Sequence, residues 1–309
     1  MSRIYEALQR ADLEKGSGHQ HGLDAAVEPA QVLKFIDDAQ PDSAGPSLVD
    51  IAKQPWSPSA DAMPCLLEQG LVVEQFRSLR SRLLEARQQS AIKTVLISSG
   101  MPSEGKSFVA LNLAVSLARD GAGRVLLIDA DLRRPTLHQA LGAPRQPGLS
   151  EYLASTAGIL EVLQGNGSKD PLLDRISSLT FIPAGASMDT SSELLTNARM
   201  KDLITSLSPH FDWIIIDSPP VLAVTDAVDI ARAADAVLLV AREARTPFKV
   251  AQRAQAAFKQ SAVLGIVLNA AKNAHHKNSY YYGSYYGSYY GESDRDNRGN
   301  SRKNTRREG

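Results

Sequence analysis

Two kinds of side chain in this sequence could act on a phosphorylated ligand: a lysine and serine in a glycine-cornered loop, and aspartates that end apolar runs. Gly100-Met101-Pro102-Ser103-Glu104-Gly105-Lys106-Ser107 fits the spacing G-x-x-x-x-G-K-[ST], in which backbone N–H groups wrap around nucleotide phosphates. Gly100 and Gly105 let the backbone turn tightly and come close to an anion. The helix that must begin at the end of the loop adds partial positive charge there. Lys106 supplies a mobile cation and the Ser107 hydroxyl a magnesium ligand. Ser103, Glu104 and Phe108 complete the candidate nucleotide-binding stretch.

Magnesium takes oxygen ligands, usually from one or two carboxylates with water and phosphate. Two apolar runs end in such groups. Val125-Leu126-Leu127-Ile128 leads into Asp129-Ala130-Asp131-Leu132-Arg133, and Ile214-Ile215-Ile216 leads into Asp217-Ser218-Pro219-Pro220. Extended backbone places Asp129 and Asp131 on one side. In a parallel sheet both run ends converge on the rim that carries the phosphate loop. Three carboxylates there are costly without a cation, and magnesium with a nucleotide is the natural counter-charge. Ser107, Asp129, Asp131 and Asp217 are therefore the candidate metal ligands.

The elements that must hold these groups are legible as alternation. The runs at 93–99, 124–128, 179–183, 213–217, 236–241 and 263–268 read as strands, and several are short and continuously apolar, as expected for strands buried on both faces of a parallel sheet. Helices are expected near 106–119, 148–164, 192–207, 226–233 and 247–259. Leu71–Arg87 carries an apolar stripe of Val72, Phe76, Leu79 and Leu83. The pattern predicts an α/β fold: a doubly wound, mostly parallel sheet with helices on both faces and ligands at the strand C-termini. The expected organisation is 1–69 as a short helix and flexible linker, 70–271 as the phosphate-loop domain, and 272–309 as a polar tail.

The 309 residues are 43% apolar, carry a formal net charge of zero and include one cysteine, Cys65. Zero net charge gives no global field for nucleic acid, and none is expected as a partner. One cysteine excludes an intrachain disulfide. No apolar run approaches the ~20 residues that span a bilayer, and the first residues lack a signal-like apolar stretch. A cytoplasmic protein is expected. The tail is unusual: Tyr280, Tyr281, Tyr282, Tyr285, Tyr286, Tyr289 and Tyr290 lie among glycine and serine, followed by an arginine-rich end.

From residue 71 onward the chain resembles the bacterial tyrosine kinases tied to capsule and exopolysaccharide production. The resemblance rests on motifs in order: Glu74-Gln75-Phe76-Arg77-Ser78-Leu79-Arg80 (E-x-x-R-x-x-R), the phosphate loop, Asp129-Ala130-Asp131-Leu132-Arg133, Asp217-Ser218-Pro219-Pro220 and the terminal tyrosines. It implies ATP and Mg2+ as cofactors, with Lys106 on the β- and γ-phosphates, Ser107 and Asp217 at the metal, and Asn269 against adenine. Asp129 and Asp131 would place the metal and the incoming hydroxyl, with Asp129 favoured as the base. A free tyrosine has a pKa of ~10 and needs such an acceptor at neutral pH. The tail tyrosines would be the phosphoacceptors, modified in trans within a ring-type homo-oligomer built through Glu74, Arg77 and Arg80. From Asn269 to Tyr285 an extended chain reaches at most roughly 53–58 Å, enough to find a neighbour's site. Implied partners are a separate membrane-anchored polysaccharide co-polymerase that recruits and activates the protein at the membrane, and a tyrosine phosphatase. Phe108 stands where many relatives have threonine and is expected to pack on the sheet. Two alternatives stay open: a partitioning or cell-division-type ATPase, whose loop would carry lysine where Met101 stands, and a non-catalytic regulator of a polysaccharide-export protein.

Overall fold

Side chains along a strand point alternately to opposite faces, and the apolar runs of this chain sort into two layers on that basis. The computed structural model describes residues 51–59, 61–119, 121, 123–186 and 198–271. In chain order the elements are β1 (Ala52–Gln54), α1 (Leu71–Gln89), β2 (Thr94–Ser99), α2 (Lys106–Arg119), β3 (Val125–Asp129), α3 (Leu137–Leu141), α4 (Leu149–Leu153), α5 (Ile159–Val162), β4 (Gln164–Asn166), α6 (Pro171–Asp174), β5 (Leu179–Ile182), α7 (Ala198–Leu207), β6 (Trp213–Asp217), α8 (Asp226–Ala231), β7 (Ala236–Arg242), α9 (Phe248–Ala257) and β8 (Val263–Asn269). They form one eight-stranded sheet in the order β1-β4-β5-β3-β6-β2-β7-β8.

Strands β5, β3, β6, β2, β7 and β8 are mutually parallel, while β4 meets β5 antiparallel. Val95, Ile97, Val125, Leu127, Trp213 and Ile215 face one core with α1 and α2. Leu96, Leu126, Ile128, Ile214 and Ile216 face the other, with α4, α7, α8 and α9. Burial on both faces explains why the central runs are continuously apolar. This is the doubly wound, phosphate-loop type of architecture that the alternation predicts.

Three features differ from the sequence expectation. Residues 51–69 belong to the folded unit and are not linker. β1 pairs with β4, Trp56 is 2% exposed, and its ring meets Phe181 edge-on at 6.5 Å. The same segment is tied to α2: Asn112, fully buried, donates to the Ala62 carbonyl and accepts from the Cys65 N–H. Second, the helix expected over 148–164 is two short helices, α4 and α5, followed by β4. Ser155 lies in the left-handed region at φ 61°, and Gly158 caps the second helix. Third, the helix expected from 192 is described only from Ala198.

Candidate active site

The phosphate loop leaves β2 after Ser99 and returns into α2 at Lys106. Ser103 and Gly105 take positive φ values of 65° and 92°. At Gly105 a glycine is required twice over. Its backbone lies in the region L side chains avoid, and a Cβ would sit 1.9 Å from Nδ2 of Asn269. Asn269 ends β8 and donates from Nδ2 to the Glu104 carbonyl at 2.9 Å. Its side-chain oxygen accepts the Ala270 N–H at 2.8 Å. The Asn269 amide is thus engaged with the loop backbone.

Parallel register delivers the acids. Asp129 and Asp217 are directly opposed at the ends of β3 and β6, neighbouring strands that run ≈ 4.8 Å apart. Lys106 reaches across from α2. Its Nζ donates to Asp131 at 2.8 Å and to the Ser107 hydroxyl at 3.2 Å, and lies 3.6 Å from Asp217. Burial works against the charge on Lys106, but Asp217, Asp131 and Asp129 outweigh it and hold its pKa above the ordinary value.

The three carboxylates are not equivalent. Asp131 faces a cavity of about 430 Å³, within the size range of small-molecule sites, and its other oxygen accepts the Arg134 N–H. Asp129 lies fully buried behind it and accepts the N–H groups of Asp131 and Leu137. Burial, and then the Asp217 carboxylate, push its pKa up to about 8. Asp217 is also fully buried, and neither oxygen has a hydrogen-bond donor. Burial raises it to about 6, while Lys106 and the nearby Ser107 hydroxyl act the other way without a bond of good geometry.

A buried carboxylate with no donor is the signature of a site completed by a cation. The donor set suits magnesium: hard oxygens from Asp217, Asp131 and Ser107 beside a phosphate loop. Among the described residues no three or more acidic, His or Cys side chains cage a metal by themselves.

The cavity is lined by Ser103, Gly105, Lys106, Ser107, Phe108 and Asp131, and also by Arg133, Arg134, Thr136, Pro219, Pro220, Ala223 and Val224. Another cavity, of about 460 Å³, lies at the opposite strand ends by Thr94 and Asp235. It has no phosphate loop and is not the candidate site. Phe108 packs edge-on to Phe76 of α1 at 6.0 Å, so its ring meets a helix where the sequence expects the sheet. Arg133 pairs at 3.2 Å with Asp226, which is 1% exposed. Pro219 and Pro220 belong to the motif that follows Asp217, whereas Ala223, Val224 and Asp226 carry no motif, and only their position after the β6 aspartate could have flagged them.

The E-x-x-R-x-x-R residues lie along α1 but separate in role. Glu74 and Arg77 pair with each other at the surface, and Arg77 also donates to the Glu68 carbonyl. Arg80 turns inward and donates to the Ser116 carbonyl at 3.0 Å. Tyr280, Tyr281, Tyr282, Tyr285, Tyr286, Tyr289 and Tyr290 lie outside the described residues.

Residues 93–249 match the family model described as an AAA domain. The tyrosine-protein kinase YwqD of Bacillus subtilis is 35% identical over 213 residues, covering 68% of this chain and 86% of YwqD. The chain belongs to the bacterial tyrosine-protein kinase family. The kinase domain of Escherichia coli tyrosine kinase ETK superposes with a TM-score of 0.59 at 32% identity, covering 66% of this chain and 79% of that domain. EpsB of Ralstonia nicotianae is 39% identical over 218 residues, which are 68% of this chain. The chain spans only 27% of the length of EpsB. Among the described residues of this family member, no helix is long and apolar enough to cross a membrane.

Proposed function

We propose that this chain is an ATP-dependent protein-tyrosine kinase whose acceptors are the tyrosines of its own C-terminal segment. One observation carries the reading. Lys106 is held between Asp131 and Asp217 at the mouth of a phosphate loop, in a chain whose relatives are named tyrosine-protein kinases. The loop N–H groups and Lys106 bind and align the triphosphate, and Ser107, Asp131 and Asp217 would hold magnesium. Bound there, the ion would neutralise charge on the phosphate oxygens.

In the transfer, the acceptor phenol oxygen bonds to the γ-phosphorus and the bond from phosphorus to the β,γ-bridging oxygen breaks, releasing ADP. The phenol proton passes to a carboxylate. Such transfer needs mainly alignment and charge neutralisation. The sequence favours Asp129 as the acceptor, and its raised pKa suits that role. Its position behind Asp131, with both oxygens occupied by N–H groups, supports a different division. Asp131, on the cavity wall, meets the hydroxyl first, and Asp129 fixes the turn that presents it.

The assignments from family resemblance complete the reading. Acceptors come from a neighbouring copy in a ring-type oligomer, for which the resemblance assigns Glu74, Arg77 and Arg80; the surface pair Glu74 and Arg77 is available to it, while Arg80 donates to the Ser116 carbonyl. A membrane-anchored polysaccharide co-polymerase recruits the chain, a tyrosine phosphatase resets it, and exopolysaccharide synthesis is the process regulated.

Incubation with Mg·ATP followed by mass spectrometry of the 272–309 peptide tests the activity, with Asp131→Asn and Asp129→Ala alongside. Phosphate on the tyrosines of the wild type, lost in Asp131→Asn, is expected. No phosphate on any tail tyrosine in protein that demonstrably binds Mg·ATP, with the cytoplasmic segment of the membrane-anchored activator supplied, rejects it. For transfer between copies, a Lys106→Met chain with its tail is mixed with an active chain lacking residues 280–291. An unlabelled Lys106→Met chain rules that out.

A further inference from the structure

A glutamate inside an anion-binding loop is an electrostatic contradiction. Glu104 sits one residue before the Gly105-Lys106 corner, yet it is only 2% exposed. Its side chain is turned to the outer side of the loop. One carboxylate oxygen accepts the Met101 N–H at 2.8 Å. The other accepts the Thr246 hydroxyl through a short hydrogen bond. Thr246 lies in the turn between β7 and α9, and its Oγ1 also accepts the Arg242 N–H at 2.8 Å. Arg242 in turn donates from its guanidinium to the Ser103 carbonyl at 3.2 Å. With the Asn269 amide on the Glu104 carbonyl, residues 103 and 104 are held from the ends of both β7 and β8.

We infer that Glu104 and Thr246 are positioning residues for nucleotide binding, a clamp that presets the phosphate loop from its outer side. The loop needs one. Ser103 is held at φ 65°, a conformation that non-glycine residues adopt only when the surroundings over-determine it. Met101 spends its N–H on Glu104; phosphate binding depends on the remaining loop N–H groups being set before the ligand arrives, because ordering the loop on binding would subtract from affinity. Removing the Thr246 hydroxyl leaves a buried carboxylate oxygen without its donor, and the carboxylate then finds another partner only by moving the loop. Glu104 spends both carboxylate oxygens on Met101 and Thr246, away from the phosphates.

The inference rests on reading the loop as a nucleotide site, and the experiment separates the two. Mg·ADP binding is measured by titration calorimetry on full-length wild type, Thr246→Val, Thr246→Ser and Arg242→Ala, with folding checked by circular dichroism. Thr246→Val is expected to bind about tenfold more weakly, and Thr246→Ser, which keeps the hydroxyl, within about twofold of wild type. Arg242→Ala, which loses only the bond to Ser103, should weaken binding by about two- to threefold. A folded Thr246→Val that binds as tightly as wild type overturns the clamp. Should that variant not fold, an unchanged Kd in Arg242→Ala overturns it instead. Wild-type protein that does not bind Mg·ADP overturns the nucleotide reading itself.

Discussion

Replacing Asp217 with asparagine should make the ligand-free protein more stable while removing its response to magnesium and nucleotide. The carboxylate is fully buried, neither oxygen has a donor, and the nearest cation, Lys106, stands 3.6 Å away and is bonded to Asp131. Asparagine has the same shape without the charge. Burial lifts Asp217 from 3.8 to about 6 in the folded state. At about 1.4 kcal/mol per pKa unit, keeping it ionised costs on the order of 1–3 kcal/mol above pH 6. In a domain of this size each kcal/mol moves Tm by roughly 2–4 °C, so Asp217→Asn should melt roughly 2–10 °C higher at pH 7.5 in a chelator.

The sign also fixes the pH dependence. Below about pH 4 both folded and unfolded chains carry a neutral Asp217, and the variant has no advantage. Between about 4 and about 6 the folded wild type keeps a proton that the unfolded chain has lost, so wild-type stability falls as pH rises. Above about 6 the part of the advantage due to Asp217 itself is constant, and because the Asp217 carboxylate also raises Asp129, the advantage grows further as pH approaches about 8. Mg·ADP reverses the ranking. At a thousand times Kd it stabilises wild type by about 4.1 kcal/mol and should do little for the variant. The assay is scanning calorimetry at pH 4.5 and 7.5, with and without Mg·ADP. A variant that melts at or below the wild type at pH 7.5 without ligand, or that gains as much from Mg·ADP, refutes the argument that Asp217 is a carboxylate waiting for a cation.

Three further outcomes follow from the packing. Trp56→Ala should cost about 3–5 kcal/mol, and a chain starting at residue 70 should melt well below one starting at residue 51, because Trp56 and Met63 are buried in the main core; equal melting temperatures would return 51–69 to the linker. Cys65, whose thiol is pushed up to about 12 by burial, should react slowly with iodoacetamide at pH 8 and fully only after denaturation, as read by intact mass; fast native labelling contradicts its placement. Arg77→Ala should change monomer stability by less than about 1 kcal/mol, as exposed ion pairs do, whereas Arg80→Ala should lose about 1–2 kcal/mol with its bond to Ser116; light scattering on the Arg77 variant is then the cleaner probe of assembly.

What was legible in the sequence follows from what each element is made of. Strands β2, β3, β5, β6 and β7 announce themselves because burial on both faces keeps the run apolar, as in Val125–Ile128 and Ile214–Ile216; β8 reads the same way although it lies at the sheet edge, where Ile266 and Leu268 are exposed. β1 and β4 are Ala-Lys-Gln and Gln-Gly-Asn, with no apolar pattern. They are strands because they lie at the sheet edge and because Trp56, next to β1, packs on Phe181 of β5. The break between α4 and α5 carries no proline, and Gly158, which caps the second helix, is the one local residue that marks it. Lys106, Ser107, Asp131 and Asp217 were legible through motif spacing, since the chain itself places them at strand ends on one rim. Thr246 and Asp226 were not, because their partners Glu104 and Arg133 lie far away in sequence. Periodicity speaks of faces and motifs of neighbours, and neither reports a long-range hydrogen bond.

The charge arrangement also argues that nucleotide and metal enter together. Three buried aspartates face a single lysine, and that lysine is already committed to Asp131. A triphosphate arriving alone would draw Lys106 toward its oxygens, leaving Asp131 and Asp217 with no counter-charge and facing a polyanion, an arrangement that low-dielectric surroundings penalise heavily. A metal arriving alone would meet Lys106 already lying between the two carboxylates, with like charge opposing like. Only the joint ligand satisfies every group: phosphates for Lys106 and the loop N–H groups, and a cation for Asp131, Asp217 and Ser107. On the proposed function, the ion pair between Lys106 and Asp131 would be exchanged for Mg·ATP, and calorimetry with ATP alone and with magnesium alone should each give weak binding; tight binding of either component by itself would refute the coupling.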